Sequence, residues 1–153
     1  MTEIKIENIA KLNNQTEPGL LEIPKGIENN ALTEKKRIFL EKLKSKTRLN
    51  SYKRYLGTPL RYAGGKTLAV GHIINILPDN IKRVASPFLG GASVEIAIAK
   101  ELDIEVIGYD IFDILINYWY YQINEPKKLT NKLKKFKPTK AEYSRVKEIM
   151  KKH

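Results

Sequence analysis

Residues 82–110 read KRVASPFLGGASVEIAIAKELDIEVIGYD, and this stretch decides the fold. A short apolar run ends at Phe88, and Gly90 and Gly91 follow it. Small and apolar residues at helical spacing then run from Ala92 to Leu102. A second strand is expected from Ile104 to Tyr109, closed by Asp110. The order strand, glycine turn, helix, strand, acid is that of a βαβ unit which holds a nucleoside. Glycine at the carboxyl end of a strand lets a ligand approach the backbone, and an acid ending the next strand can grip a ribose hydroxyl. Gly90 and Asp110 stand twenty positions apart, close to the roughly 20 expected for that pairing. The third glycine of a dinucleotide fingerprint is missing, and a Gly-Gly pair on its own is compatible with a plain turn.

Outward from this stretch, the chain has 153 residues, which favours one domain, and 42% of them are hydrophobic. There is no cysteine, so disulfides, thiolate metal sites and cysteine nucleophiles are excluded. No apolar run approaches the roughly 18 residues of a membrane span. The polar start lacks the apolar core of a signal peptide. Together these point to the cytoplasm.

Net charge is +11, and it is unevenly spread. Residues 35–54 hold nine basic and one acidic residue, and residues 127–153 hold eleven and two. Residues 1–34 and 55–126 are each mildly acidic. Two basic segments flanking an acidic middle suit a polyanion such as nucleic acid. Solvated lysine-rich helices are the plainer alternative.

Residues 1–32 are polar, with Pro18-Gly19 and Pro24-Lys25-Gly26 as breakers, and read as a flexible arm. Ile4-Lys5-Ile6 is a candidate edge strand within it. A basic helix is expected within 33–57, capped by Thr33, with Ile38, Phe39, Leu43 and Leu49 as its apolar stripe. Gly64-Gly65-Lys66-Thr67 invites comparison with a P-loop, but the position that must be glycine is Leu60, so nucleoside triphosphate binding is rejected. What remains is a glycine turn delivering Lys66 at a helix start, an arrangement suited to an anion. His72 has no metal partner one turn on and reads as structural. Asp113 is a candidate cap for a helix carrying Tyr118, Trp119, Tyr120 and Tyr121, aromatics suited either to a core or to stacking on a base. Glu125-Pro126 breaks that helix. Thr139 with Glu142 forms a capping box opening a last one.

Three segments together, Arg61-Tyr62-Ala63-Gly64-Gly65-Lys66, Ser86-Pro87-Phe88-Leu89-Gly90-Gly91-Ala92-Ser93-Val94 and Tyr109-Asp110-Ile111, resemble in order and spacing the amino-terminal half of Dam-type adenine-N6 DNA methyltransferases. Glu142-Tyr143-Ser144-Arg145-Val146 is similar to the start of that family's target-recognition region. The resemblance covers about residues 58–150. It implies an α/β, Rossmann-like S-adenosylmethionine-dependent methyltransferase fold, incomplete and limited to the first half of the sheet, with basic helical flanks. It implies a cofactor-binding core over 58–126 and the beginning of target recognition over 127–153. It assigns Tyr62, Gly65, Lys66, Phe88, Gly90, Gly91 and Asp110 to S-adenosylmethionine. Tyr62 and Lys66 would lie at the methionine end, Phe88, Gly90 and Gly91 at the floor, and Asp110 at the ribose. No metal is implied.

The chain departs from the family pattern at Ser86, where glutamate is usual, at Phe112, where asparagine is usual, and at Ala92, which replaces the last glycine. Alanine is tolerable at 92 if its φ is negative. The catalytic Asp-Pro-Pro-Tyr type of motif occurs nowhere in the 153 residues. In the family that motif accepts hydrogen bonds from the adenine amino group and stacks on the flipped base. No catalytic residue is therefore assigned, and this chain alone is expected to be inactive. The expected partners are double-stranded DNA along the basic flanks and a second polypeptide carrying the motif. A non-catalytic DNA-binding or regulatory remnant of the same fold is the alternative.

Overall fold

The computed structural model describes residues 2–5, 28–46 and 52–151. At its centre lies the βαβ unit expected from residues 82–110. β2 (Arg83–Ser86) leads through the glycine turn into α3 (Ser93–Glu101), and the chain returns as β3 (Glu105–Asp110). β2 and β3 are parallel, in a register that sets Ser86 beside Gly108. β1 (Thr2–Lys5) pairs antiparallel with the other side of β3, Thr2 lying opposite Asp110. The sheet order is β1-β3-β2, a mixed α/β arrangement. The first few residues are thus a strand, and the candidate Ile4-Lys5-Ile6 foreshadows it. The rest of the expected arm up to residue 27 lies outside the described residues.

α1 (Glu28–Leu43) begins five residues before the expected cap, so Thr33 sits inside the helix. Its buried face is Phe39, Leu40 and Leu43, while Ile38 is exposed. That i, i+1, i+4 grouping is one side of a 3.6-residue period. Leu49 lies outside the described residues. Several cations of α1 are turned inward or paired. The Lys36 ammonium donates to the Leu77 carbonyl and to Asp79, and Lys35 reaches Asp103 at 3.2 Å. Arg37 pairs with Glu34, and Lys44 with Glu41. These pairs reduce the unpaired positive charge along the helix.

α2 (Val70–Ile76) packs on α1 and α3 through Val70 and Ile74, both fully buried. α4 (Asp113–Asn124) packs across β1 and β3. It starts with Phe112 in the cap position and Asp113 as its first residue, so the cap falls one place earlier than expected. Trp119 is 0% exposed, which decides between the two uses of the aromatic cluster: this ring is core. α5 (Pro126–Lys135) starts on the proline that ends α4, a position that needs no N–H. α6 (Lys140–Met150) is capped by Thr139, whose hydroxyl accepts from the Glu142 amide at 3.2 Å, as the capping box predicts. Neither α5 nor α6 buries a side chain fully. No helix among the described residues is long and apolar enough to cross a membrane.

Candidate functional site at the carboxyl ends of the parallel strands

The glycine turn is held from three directions. The Gly90 amide donates to Asp110 Oδ2 at 2.9 Å, and the Gly90 carbonyl accepts from Trp119 Nε1 at 2.9 Å. The Gly91 carbonyl accepts from the Thr58 hydroxyl at 2.7 Å. Gly90 takes φ +50°, a left-handed conformation that glycine adopts without steric cost. Asp110 also accepts from the Phe112 amide through Oδ1 at 3.0 Å. Each carboxylate oxygen has two lone pairs, so both keep acceptor capacity after these bonds.

Ala92 has φ +49° and ψ 31°, so the condition under which alanine is tolerated there without strain is not met. The loop keeps the left-handed geometry of glycine although the residue is alanine. The conformation costs about 1–2 kcal/mol.

A second turn closes over the first. The Gly65 amide donates to the Tyr62 carbonyl at 3.0 Å, and Gly64 takes φ +74°. Tyr62 lies against the glycine turn: a β-carbon added at Gly91 would stand 2.8 Å from the Tyr62 β-carbon. Only glycine permits this approach. α2 begins at Val70, so Lys66 precedes the helix by a further turn, and the expected helix-start anion site is not formed. Instead the Lys66 ammonium donates back to the Gly64 carbonyl at 2.7 Å.

Tyr62, Gly65, Lys66, Phe88, Gly90, Gly91 and Asp110 all line one cleft of about 480 Å³. Phe88 presents its ring to solvent at the rim, 85% exposed, and Ile111 beside Asp110 is 92% exposed. The same cleft contains Glu95, which the sequence reading passed over. Glu95 lies in the first turn of α3, and its carboxylate accepts from the Ser86 hydroxyl at 2.6 Å. Burial raises its pKa, opposed in part by the Ser86 hydroxyl and by the backbone amides of the turn. Thr58, which fastens the 58–62 segment to the glycine turn, was likewise not singled out from the sequence. His72 makes an edge contact with Tyr52 at 5.0 Å, in keeping with a structural role.

A family model for the D12 class N6 adenine-specific DNA methyltransferases matches residues 62–153. The modification methylase StsI of Streptococcus sanguinis is 31% identical over 96 residues, which are 61% of this chain and 14% of that protein. No solved structure gives a significant match. The family match covers more than half of the chain and includes the whole βαβ unit with both turns of the cleft. The chain belongs to the D12 class of N6 adenine-specific DNA methyltransferases.

Proposed function

We propose that the cleft between the Tyr62–Lys66 turn and the Gly90–Gly91 turn binds S-adenosylmethionine, and that this chain is the cofactor-binding portion of an adenine-N6 DNA methyltransferase with an incomplete Rossmann-like domain. The observation that carries this is the convergence of all seven candidate residues on one cleft, with Asp110 bonded to the amide of Gly90. The residues fit the ligand. The cleft volume lies in the range of small-molecule sites, about 300–1,000 Å³. Asp110 retains lone pairs for ribose hydroxyls, Lys66 offers an ammonium to a carboxylate, and Phe88 and Ile111 offer apolar surface to a base. S-adenosylmethionine supplies an electrophilic methyl group, and this chain supplies its position.

Residues 58–126 form the cofactor part in this scheme, and 127–153 begin target recognition. The Asp-Pro-Pro-Tyr type of motif must come from outside these 153 residues, whether from further chain or from a second polypeptide. Duplex DNA would meet α5 and α6 rather than α1. Lys132, Lys134 and Lys135 of α5 make no ion pair among the described residues, although Lys128, Arg145 and Lys151 are paired, whereas Lys35, Lys36 and Arg37 of α1 are all engaged.

Calorimetry tests the cofactor proposal. Micromolar S-adenosylmethionine binding by the full chain, weakened about 10–100-fold in Asp110→Ala, is expected from the loss of a charged acceptor. No binding at millimolar cofactor overturns it.

A further inference from the structure

We propose that Glu95, oriented by Ser86, is the cleft's acceptor for the ammonium group at the amino-acid end of the cofactor. This inference rests on S-adenosylmethionine being the ligand and adds a residue and a role to it.

The first support is position. Ser86 ends β2 and is in register with Gly108 on β3, two residues before Asp110. The Glu95 carboxylate, held by Ser86 at 2.6 Å, and the Asp110 carboxylate therefore stand near the carboxyl ends of neighbouring parallel strands. Such strands run about 4.8 Å apart. An elongated ligand crossing the strand ends meets both acids.

The second support is coordination. Asp110 spends acceptor capacity on two backbone amides that shape the turn. Glu95 makes no ion pair among the described residues, and its partners are a neutral hydroxyl and the backbone amides of Val94 and Glu95. A half-buried carboxylate without a cation is costly unless something restores its charge balance. The cation of the same cleft, Lys66, is turned to the Gly64 carbonyl. The raised pKa of Glu95 agrees with a group left short of a positive partner.

The third support is complementarity. The charged residues lining the cleft are Lys66, Glu95 and Asp110. With Asp110 at the ribose, Lys66 and Glu95 remain as one cation and one anion, the pair that a zwitterionic amino-acid group requires. Ser86 acts as a positioning residue: its hydroxyl donates to Glu95 Oε1 and holds the carboxylate in the cleft.

The test compares S-adenosylhomocysteine with 5′-methylthioadenosine by calorimetry on the full chain. Both are neutral at sulfur, and only the former carries the amino acid. Glu95→Gln is expected to weaken S-adenosylhomocysteine binding about tenfold or more and to leave methylthioadenosine unchanged, the loss of a charged hydrogen bond. Ser86→Ala should show the same split with a smaller loss, and it carries the comparison if Glu95→Gln fails to fold. Asp110→Ala should weaken both ligands. Equal loss of both ligands in Glu95→Gln, or no loss of either, overturns the assignment while the cofactor proposal stands. A wild-type chain that binds neither ligand overturns the cofactor proposal and this inference with it.

Discussion

The Gly90 amide and the Asp110 carboxylate, twenty positions apart, meet at 2.9 Å, so the acid that ends β3 also fixes the turn that follows β2. One side chain thereby sets both the shape of the cleft and part of its chemistry. Removing it leaves the amides of Gly90 and Phe112 without their acceptor. Asp110→Ala should destabilise the chain by about 2–4 kcal/mol, since a partly buried unpaired donor costs about 1–3 kcal/mol. Chemical denaturation measures this. A loss below about 0.5 kcal/mol would show that the turn holds its shape without the acid.

Gly91→Ala places a methyl group 2.8 Å from the Tyr62 β-carbon, inside any tolerable contact. Either the glycine turn or the Tyr62–Lys66 turn must move, at a typical overpacking cost of about 1–3 kcal/mol. The expected outcome is a modest fall in melting temperature with a clear fall in cofactor affinity, because the contact lies in the cleft wall. Unchanged affinity would show that Tyr62 does not bound the ligand.

At Ala92 three effects nearly cancel. Glycine relieves a left-handed strain of about 1–2 kcal/mol. It adds back about 0.5–1 kcal/mol of backbone entropy cost and gives up a buried methyl worth about 0.8 kcal/mol. Ala92→Gly should therefore change stability by less than about 1 kcal/mol. Ala92→Val places a β-branched side chain at φ +49° in a position 1% exposed, and should destabilise by about 2 kcal/mol or more. A well-tolerated valine would contradict the left-handed geometry.

Glu95 makes stability depend on pH in a stated direction. Its pKa is raised above the ordinary 4.5 chiefly by burial. The fold favours its neutral form, so its contribution is present below about pH 4.5 and is lost as pH rises through the raised value. Glu95→Gln, which keeps an acceptor for Ser86, should melt higher than wild type at pH 7. The difference should shrink toward zero below pH 4.5. A variant that is less stable at pH 7 would mean that the carboxylate is better compensated in the free chain than its surroundings indicate. Higher stability combined with weaker ligand binding is the exchange expected of a functional group kept at a cost to the fold.

Residue order alone made much of this legible. The βαβ unit follows from apolar periodicity interrupted by glycine, a local property, and the spacing of Gly90 and Asp110 identified the pair that the fold joins. Thr139 and Pro126 were readable for the same reason, since caps and breaks depend on a few neighbouring atoms. What the sequence could not disclose depends on which distant atoms fill the space around a residue. Ala92 has an ordinary preference for negative φ, and the packing of the turn overrides it. Lys35 and Lys36 look like solvent cations and become ties to Asp103 and Asp79 once α1 docks. Trp119 suited a core better than a base by residue type, and its burial with the ring N–H on the Gly90 carbonyl decided for the core. Glu95 was one polar residue on a helix until the fold set it beside Ser86, nine positions earlier on the neighbouring strand. Local sequence determined the βαβ unit and the glycine turns that line the cleft. Tertiary structure decided the charge lining it, because a side chain's partner is set by three-dimensional proximity and solvent exclusion.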